Sequence, residues 1–290
     1  MIKNTLYYPL TATPFKRNSS YMEITPCGQL KSHVRCFWGT EQPVIQGTDD
    51  TVEIVIPDTC ADIIYYIDYT DNTVSGGFCG INDHSFYVQE EGKAGHLVST
   101  FAIRFYAWGA YAFAEDSLKS TANTYDEIGA RFEWFDRLIR PKLPELISIR
   151  EMVSYAELLL TRKIKKTREN QIVNHAVDNI LISKGSMEVS GLAKELFVSS
   201  RQLERLFHEY VGITPKKLGN LVRYQFLWRD ILSEPDFHIL NAVHRYGYAD
   251  QSHLLREFRR YHSMDVHSAK RLALKDVGNI QDILRQGTVK

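Results

Sequence analysis

The sequence predicts an α+β protein: an N-terminal β-rich barrel or sandwich domain with trailing helices, then an all-α C-terminal double helix-turn-helix domain. Three observations support this prediction. Short β-branched and aromatic runs, separated by Gly, Pro and Asp turns, extend to about residue 110. Apolar residues then recur at helical spacing. One helical unit also occurs twice near the C-terminus, at positions 199 and 250, which are 51 residues apart.

The predicted strands lie in the first third of the chain. Residues 51–56 and 62–69 are runs of β-branched and aromatic side chains, bounded by Pro57-Asp58 and Asp71-Asn72. A third run covers residues 96–106, and glycines at 76, 77, 80, 92 and 95 mark turns. Several short strands with Gly-rich turns favour a small barrel or a two-sheet sandwich.

Two helices are predicted to follow the strands, over residues 125–139 and 144–164. The second has more apolar residues than one stripe needs, so we expect part of it to face another subunit or a second groove of the same chain. The basic run 162–168 is interpreted as a solvated linker, with a DNA-binding arm as the alternative.

The repeated unit has the pattern of a helix that enters DNA. Its first copy is SSRQLERLF, from Ser199 to Phe207, and its second is DQSHLLREF, from Asp250 to Phe258. Each copy begins with a good N-cap residue. Each then carries a leucine, an arginine and a phenylalanine at matching offsets: Leu203, Arg205 and Phe207, then Leu254, Arg256 and Phe258. An apolar inner face with an outward guanidinium is typical of a recognition helix in the major groove.

The flanking sequence completes two helix-turn-helix units. Residues 190–198, with Ser190 as N-cap, and 239–249, with Gly247 as terminator, are predicted first helices. Thr214-Pro215 predicts the start of a linking helix that runs to about Leu232, ahead of Pro235. A rod of roughly 18 residues spans about 27 Å. It could therefore hold the two recognition helices near the spacing of successive major grooves, about 34 Å.

Several segments of the chain resemble a known family. SSRQLERLFHEYVGITPKKL, the following Arg223-Tyr-Gln and GYADQSHLLREFRR match the two-motif DNA-binding domain of the AraC/XylS family of bacterial transcription regulators, over about residues 170–275. Where the family has Gly-x-Thr/Ser-Pro, this chain has Ser263-Met-Asp-Val266. The segments IPDTCADIIYYID and FAIRFYAWGAYAF resemble a sensor-type domain of one branch, with Thr59 and Ala107-Trp108-Gly109 replacing its usual glycine and Pro-Gly turn.

The resemblance implies a sequence-specific DNA-binding transcription regulator whose two recognition helices read successive major grooves, controlled by an N-terminal effector-binding or dimerisation domain. It implies promoter or operator DNA as partner, and RNA polymerase if the protein is an activator. A small-molecule effector and a second copy of the chain are further expected partners. The division expected is residues 1–142 for the β-rich domain, 143–168 for a connecting helix and linker, 169–276 for DNA binding and 277–290 for a tail.

Charge is divided unevenly along a chain whose formal net charge is zero. Lys and Arg number 13 against 19 Asp and Glu in residues 1–150, 6 against 4 in 151–185, and 16 against 12 in 186–290, giving −6, +2 and +4. A basic C-terminal half agrees with DNA binding. The apolar runs are too short for a membrane span and the start lacks a signal-peptide core, so cytoplasm is the expected location.

Roles in DNA binding follow from helix position. The predicted base contacts are Ser200, Arg201, Glu204, Arg205, Gln251, Ser252, Leu255 and Arg256. The predicted phosphate contacts are Lys216, Lys217, Arg259 and Arg260. For Arg205 and Arg256 the alternatives are a phosphate contact or an ion pair with a helix neighbour such as Glu209.

An effector pocket is predicted at the mouth of the β domain, lined by Trp38, Tyr65, Arg104, Phe105 and Trp108. The alternatives are core or interface packing of the aromatic residues and an ion pair of Arg104 with Asp58 or Asp62.

We expect no catalytic residue, metal or cofactor. Cys27, Cys36, Cys60 and Cys79 are interpreted as reduced structural thiols, because they form no C-x-x-C pair. The alternative is a cysteine-based redox or alkylation sensor, or an enzyme domain fused to a DNA-binding module. Asp58 and Asp62 beside Cys60 argue against it, since nearby carboxylates raise the pKa of a thiol.

Overall fold

The computed structural model describes residues 7–10, 20–47, 52–89, 93–164, 169–234 and 236–274. Gly92, part of the basic run (165–168), Pro235 and the expected tail (277–290) lie outside the described residues. The α+β class is confirmed: strands occupy residues 21–126 and α-helices occupy residues 129–274.

The strands form one large sheet and one separate pair. They are β1 Tyr21–Ile24, β2 Val34–Thr40, β3 Val44–Ile45, β4 Val52–Val55, β5 Cys60–Asp68, β6 Thr73–Cys79, β7 Phe86–Gln89, β8 Leu97–Tyr106 and β9 Tyr125–Asp126. The large sheet has the order β1-β2-β8-β5-β6-β9, with β3 also paired to β8, while β4 pairs with β7. Every pairing is antiparallel.

The prediction of a barrel is corrected by this topology. Among the described residues β1 and β9 lie at opposite ends of the strand order, so the large sheet stays open. The central pair β5 and β8 runs in register from Cys60 opposite Tyr106 to Asp68 opposite Val98. Because successive side chains alternate between faces, one face of this pair is almost wholly apolar and the other carries charged residues.

The apolar face builds the core with the helices that follow the sheet. Its residues include Ile63, Tyr65, Phe101, Ile103 and Phe105, each with no measurable exposure. Phe105 stacks on Phe132 at a ring-centroid distance of 6.2 Å. Helix α1 spans Gly129–Ile139 and helix α2 spans Ile149–Ile164.

Both predicted N-terminal helices begin later than expected. Residues 125–126 pair with β6 as strand β9, so the helix predicted from 125 starts at Gly129. The helix predicted from 144 starts at Ile149, because Leu143–Glu145 forms a short 3₁₀ turn that ends on Leu146 in an extended conformation.

The C-terminal part is helical throughout its described length. Its helices are α3 Gln171–Ile182, α4 Val189–Glu195, α5 Ser200–Tyr210, α6 Pro215–Ser233, α7 Ile239–Tyr246, α8 Gln251–His262 and α9 Val266–Leu274. The predicted caps are present: the side chains of Ser199, Thr214 and Asp250 each accept a backbone N–H of the first helical turn. Gly247 ends α7 with φ of 65°.

One predicted cap is wrong, and a second cap departs from the family pattern. Helix α4 begins at Val189, and Glu188 occupies the N-cap position without a capping hydrogen bond from its side chain. The predicted N-cap, Ser190, therefore lies inside the helix. After α8, where the family has a glycine, Ser263 adopts the left-handed conformation with φ of 55°. The side chain of Asp265 then accepts the N–H of Ser268 at 3.0 Å and starts α9. Ser263 and Asp265 therefore form the turn and the helix cap at the segment that departs from the family pattern.

Segments of the N-terminal part outside the strands pack directly on the C-terminal helices. The backbone N–H of Leu118 donates to the carbonyl of Glu209 at 2.9 Å, and the rings of Tyr111 and Tyr210 lie 4.1 Å apart. Arg229 on α6 donates to the carbonyl of Tyr8. Both the end of α5 and the middle of α6 therefore contact the N-terminal part of the chain.

Candidate nucleic-acid interface

Helix α5 has the two faces that its sequence predicts. Leu203 and Phe207 have no exposure and Leu206 is buried, so this side of the helix packs on the helical core. The other side carries the four predicted base contacts of this helix, and all are exposed: Ser200, Arg201, Glu204 and Arg205. The cap at Ser199 fixes where the helix begins, since its Oγ accepts the N–H of Gln202 at 3.1 Å.

Helix α8 repeats the arrangement. Leu254 and Phe258 are buried, whereas Gln251, Ser252 and Arg256 are exposed and Leu255 is half-buried. Nε of Arg256 donates to the carbonyl of Ser252 at 3.3 Å, which lays the side chain along its own helix. Arg205 forms no ion pair with Glu209 among the described residues.

The four predicted phosphate contacts lie beside the recognition helices. Lys216 and Lys217 occupy the first turn of α6, while Arg259 and Arg260 lie in the last turn of α8, and all four are exposed. Two of them contact Asp83, which lies in the loop between β6 and β7. Nζ of Lys217 lies 2.7 Å from Oδ2 of Asp83, and Nη2 of Arg260 lies 3.6 Å from the same oxygen.

An ion pair between Arg223 of α6 and Glu257 of α8, which was not predicted from the sequence, holds the two helices together. Nη2 of Arg223 lies 2.9 Å from each carboxylate oxygen of Glu257, and the Tyr248 hydroxyl donates to the same carboxylate at 2.8 Å. The Arg223 guanidinium also lies 4.2 Å from the centre of the Tyr248 ring. Arg223 belongs to a matching motif, but its partner lies on another helix and no sequence spacing indicates it.

The predicted effector residues do not line one cavity in the described part of the chain. Trp38 and Arg104 lie on the charged face of the sheet, whereas Tyr65 and Phe105 belong to the apolar core on the other face. Trp108 stacks on Tyr106 at 4.8 Å and donates Nε1 to the carbonyl of Ser32.

Arg104 forms the structural ion pair that the sequence left open as an alternative. Nε lies 2.9 Å from Oδ1 of Asp62 and Nη2 lies 3.0 Å from Oδ2, a two-point contact. Asp58 lies 3.5 Å from Nη1, and Trp38 donates Nε1 to Asp62 at 3.2 Å. Burial raises the pKa of Asp58 above its usual range although Arg104 opposes this.

None of the cysteines with a shifted pKa is activated. Burial raises the pKa of Cys60, and the neighbouring Asp58 raises it further. Burial also raises the pKa of Cys36, and it raises that of Cys79 to about 11. These three thiols are therefore protonated at neutral pH and are poor nucleophiles.

The ligand atoms of Asp68, Asp71 and His96 lie within 4.8 Å of one another, close enough for a metal ion. The ammonium of Lys93 already pairs with Asp71 at 2.5 Å, and His96 with Asp68 at 2.8 Å. The ion pair with Lys93 and the hydrogen bond with His96 account for the cluster. No helix in the described residues combines the length and apolar character needed to cross a lipid bilayer.

Two family models match this chain. Residues 192–271 match the Helix-turn-helix domain, and residues 22–126 match a Domain of unknown function (DUF6597). The first covers α5 to α8, and the second covers the large sheet from β1 to β9. No curated protein sequence matches the chain.

Among solved structures the chain is similar to ToxT from Vibrio cholerae. An apo variant from strain SCE256 has a TM-score of 0.36 and 10% identity, covering 89% of this chain and 99% of that one. ToxT from strain O395 has a TM-score of 0.37 and 9% identity, covering 90% and 100%. Likeness this weak carries no argument about function. The functional conclusion depends instead on the helix-turn-helix match and on the two exposed recognition faces. This chain carries an AraC-type helix-turn-helix domain at its C-terminal end and is a DNA-binding transcription regulator.

Proposed function

We propose that α5 and α8 read base edges in successive major grooves of promoter DNA, and that the N-terminal sheet controls their access to it. One observation carries the proposal. In both units the arginine at the matching offset, Arg205 or Arg256, is exposed on a helix whose opposite face is buried. Packing on that buried face fixes the orientation of each helix, and so the side from which its arginine projects, as recognition of a base edge requires.

The chemistry of each exposed side chain suggests what it recognises. Arg201, Arg205 and Arg256 can bind guanine with two hydrogen bonds, Gln251 can bind adenine, and Glu204 can accept from cytosine. Leu255 can contact a thymine methyl, and Ser200 and Ser252 can serve as small polar contacts. These are proposed roles, assigned from exposure and position on the helix.

Phosphate contacts complete the proposed interface. Lys216, Lys217, Arg259 and Arg260 lie at the ends of α6 and α8 next to the recognition faces. Such cations position a protein on the duplex without specifying sequence. Their binding is expected to weaken as salt rises, because each phosphate contact releases counterions.

We propose the division of labour that the sequence suggests. Residues 1–142 act as the control domain, 143–168 as connecting helix and linker, 169–276 as the DNA-binding domain and 277–290 as a tail. Contacts from Asp83, Leu118 and Tyr8 to the helical part supply a route for control. A small-molecule effector, a second copy of the chain and RNA polymerase remain proposed partners, and cytoplasm remains the proposed location.

An effector site in the control domain would use the charged face of the sheet, where Trp38 and Arg104 lie together. Tyr65 and Phe105 belong to the core, and Trp108 packs elsewhere. We propose no enzymatic activity. The raised pKa values of Cys36, Cys60 and Cys79 do not support the alternative of a cysteine-based sensor, because a reactive cysteine needs a thiolate.

Selection of bound fragments from random DNA tests the proposal. The full chain is expected to enrich one site with two conserved blocks whose centres lie about one helical turn, 10–10.5 base pairs, apart. Alanine at Arg205 and at Arg256 should each relax a different block. Enrichment of no sequence, or loss of both blocks in either variant, would contradict independent reading by two helices.

A further inference from the structure

Two cations from different helix-turn-helix units converge on one oxygen atom. Lys217 comes from the first turn of α6, which follows the first unit, and Arg260 comes from the last turn of the second recognition helix, α8. Both approach Oδ2 of Asp83, at 2.7 Å and 3.6 Å. A single anionic oxygen between a lysine and an arginine is the arrangement that a phosphate oxygen would occupy.

Asp83 is held firmly in this position by its own domain. Its backbone N–H donates to Oδ1 of Asn123 at 2.9 Å, and its Oδ1 lies 3.1 Å from Nδ1 of His84. The Asp83 side chain is only 9% exposed, whereas those of Lys217 and Arg260 are 47% and 57% exposed. The carboxylate is therefore largely covered, while both cations keep an open side toward solvent.

The ionisation of Asp83 agrees with this geometry. Burial alone would raise the pKa of this carboxyl, but hydrogen bonds from Lys217 and His84 outweigh it and lower the pKa to about 2. Asp83 is thus fully ionised at neutral pH. A second contact closes the same junction, because the hydroxyls of Ser85 and Ser263 lie 2.5 Å apart.

We propose that Lys217 and Arg260 form one phosphodiester-binding site shared by the two helix-turn-helix units, and that Asp83, in the loop between β6 and β7, occupies this site when the two parts of the chain are docked. The inference rests on the proposed function of the helices. DNA backbone and Asp83 then compete for the same two cations. Docking of the sheet weakens binding to DNA of any sequence.

Asp83→Asn tests the competition. The variant should bind DNA of any sequence roughly threefold to tenfold more tightly than the wild type at low salt, the size expected for releasing two exposed ion pairs. The gain should shrink as salt rises, since the competing ion pairs are themselves screened. Binding is measured by fluorescence anisotropy with the full chain, on the selected site and on a scrambled duplex.

Two comparisons separate competition from a general change of charge. Asp71→Asn removes the same charge from the same domain, but Asp71 contacts Lys93 and His96 and neither Lys217 nor Arg260, so the change should leave DNA affinity unchanged. In a chain that already carries Lys217→Gln and Arg260→Gln, Asp83→Asn should add nothing. Equal gains from Asp71→Asn and Asp83→Asn, or a gain that persists without the two cations, would overturn the inference.

A reversible cross-link supplies a test that does not depend on removing Asp83. Because the Ser85 and Ser263 hydroxyls already touch, the pair Ser85→Cys and Ser263→Cys can form a disulfide that holds the docked arrangement. Oxidation should lower DNA affinity and reduction should restore it, while each single cysteine variant should not respond. Unchanged affinity after complete cross-linking contradicts the inference alone. Absence of DNA binding by every chain, wild type included, contradicts the proposed function instead.

Discussion

Gln225 of helix α6 donates from Nε2 to the carbonyl oxygen of Pro57 at 2.6 Å, and so ties the linking helix to the loop before β5. Its other end is also used: Oε1 accepts the backbone N–H of Leu10 at 2.8 Å. The residue is only 2% exposed. One buried amide therefore satisfies two backbone groups that the N-terminal part of the chain brings to the interface.

Gln225→Leu is expected to destabilise the protein by about 1–3 kcal/mol, because it leaves the Leu10 N–H and the Pro57 carbonyl without their partner. The change keeps a similar side-chain volume. Urea unfolding of the full chain measures the free energy of unfolding. Gln202→Leu, the same change at an exposed position of α5, is the control and should have little effect. Equal effects of the two changes would show that the interface hydrogen bonds do not matter.

Arg205→Ala should weaken binding to the selected DNA site by about 1–3 kcal/mol and relax the preference at one base position. Arg205→Lys is the matched variant: it keeps the charge but loses the two-point contact with guanine. We expect Lys to restore binding to random DNA while leaving the base preference relaxed. The measurement is a competition titration against duplexes changed at single positions. An equal loss on every duplex would assign Arg205 to phosphate instead.

Lys216→Gln should weaken binding to all sequences alike and reduce the slope of log affinity against log salt by about 0.9, the value for one phosphate contact. Lys119→Gln removes the same charge from an exposed position of the N-terminal part and should leave the slope as it is. The slope comes from a salt titration of anisotropy. A slope equal to that of the wild type removes Lys216 from the phosphate contacts.

The local features of this chain could be read from its sequence, whereas the contacts between distant segments could not. The caps at Ser199, Thr214 and Asp250 depend on residues within one helical turn, and all three form as predicted. The open sheet could not be foreseen in the same way, because closure depends on whether β1 and β9 meet. Residues 125–126 illustrate the same limit, since pairing with β6 makes them a strand.

The candidate site divides along the same line. Exposure of the recognition arginines follows from helical periodicity, which places them opposite Leu203 and Leu254. The contact of Lys217 with Asp83 could not be predicted in this way, because Asp83 belongs to another part of the fold and no sequence spacing relates the two residues. The predicted effector pocket mixed residues of both sheet faces. Because side chains alternate along β8, Arg104 and the next residue, Phe105, must lie on opposite faces of the sheet. The alternation alone does not show which of the two faces is buried under helices.

Phe197→Gly is expected to stabilise the DNA-binding domain by up to about 1 kcal/mol. Phe197 forms the turn between α4 and α5 with φ of 55°, a left-handed conformation that side chains with a Cβ adopt at a cost. Its side chain is 96% exposed, so little packing is lost when it is removed. Phe197→Ala is the control, because it removes the ring and keeps the Cβ. Thermal unfolding of both variants should show the gain for glycine alone.

His262 should make the protein less stable as the solution is acidified. It has no exposure and packs among Trp228 and Phe258, and burial lowers its pKa to about 3. Below its ordinary pKa of 6.5 the unfolded chain therefore binds a proton that the folded chain refuses, so stability falls as pH drops from 6.5 toward 3. The loss of stability from this group should reach about 2 kcal/mol at pH 5.

Urea unfolding at several pH values should show a shallower decline in the free energy of unfolding for His262→Gln than for the wild type. The exposed control His244→Gln should show the same decline as the wild type. Parallel declines in all three proteins would place the acid sensitivity elsewhere.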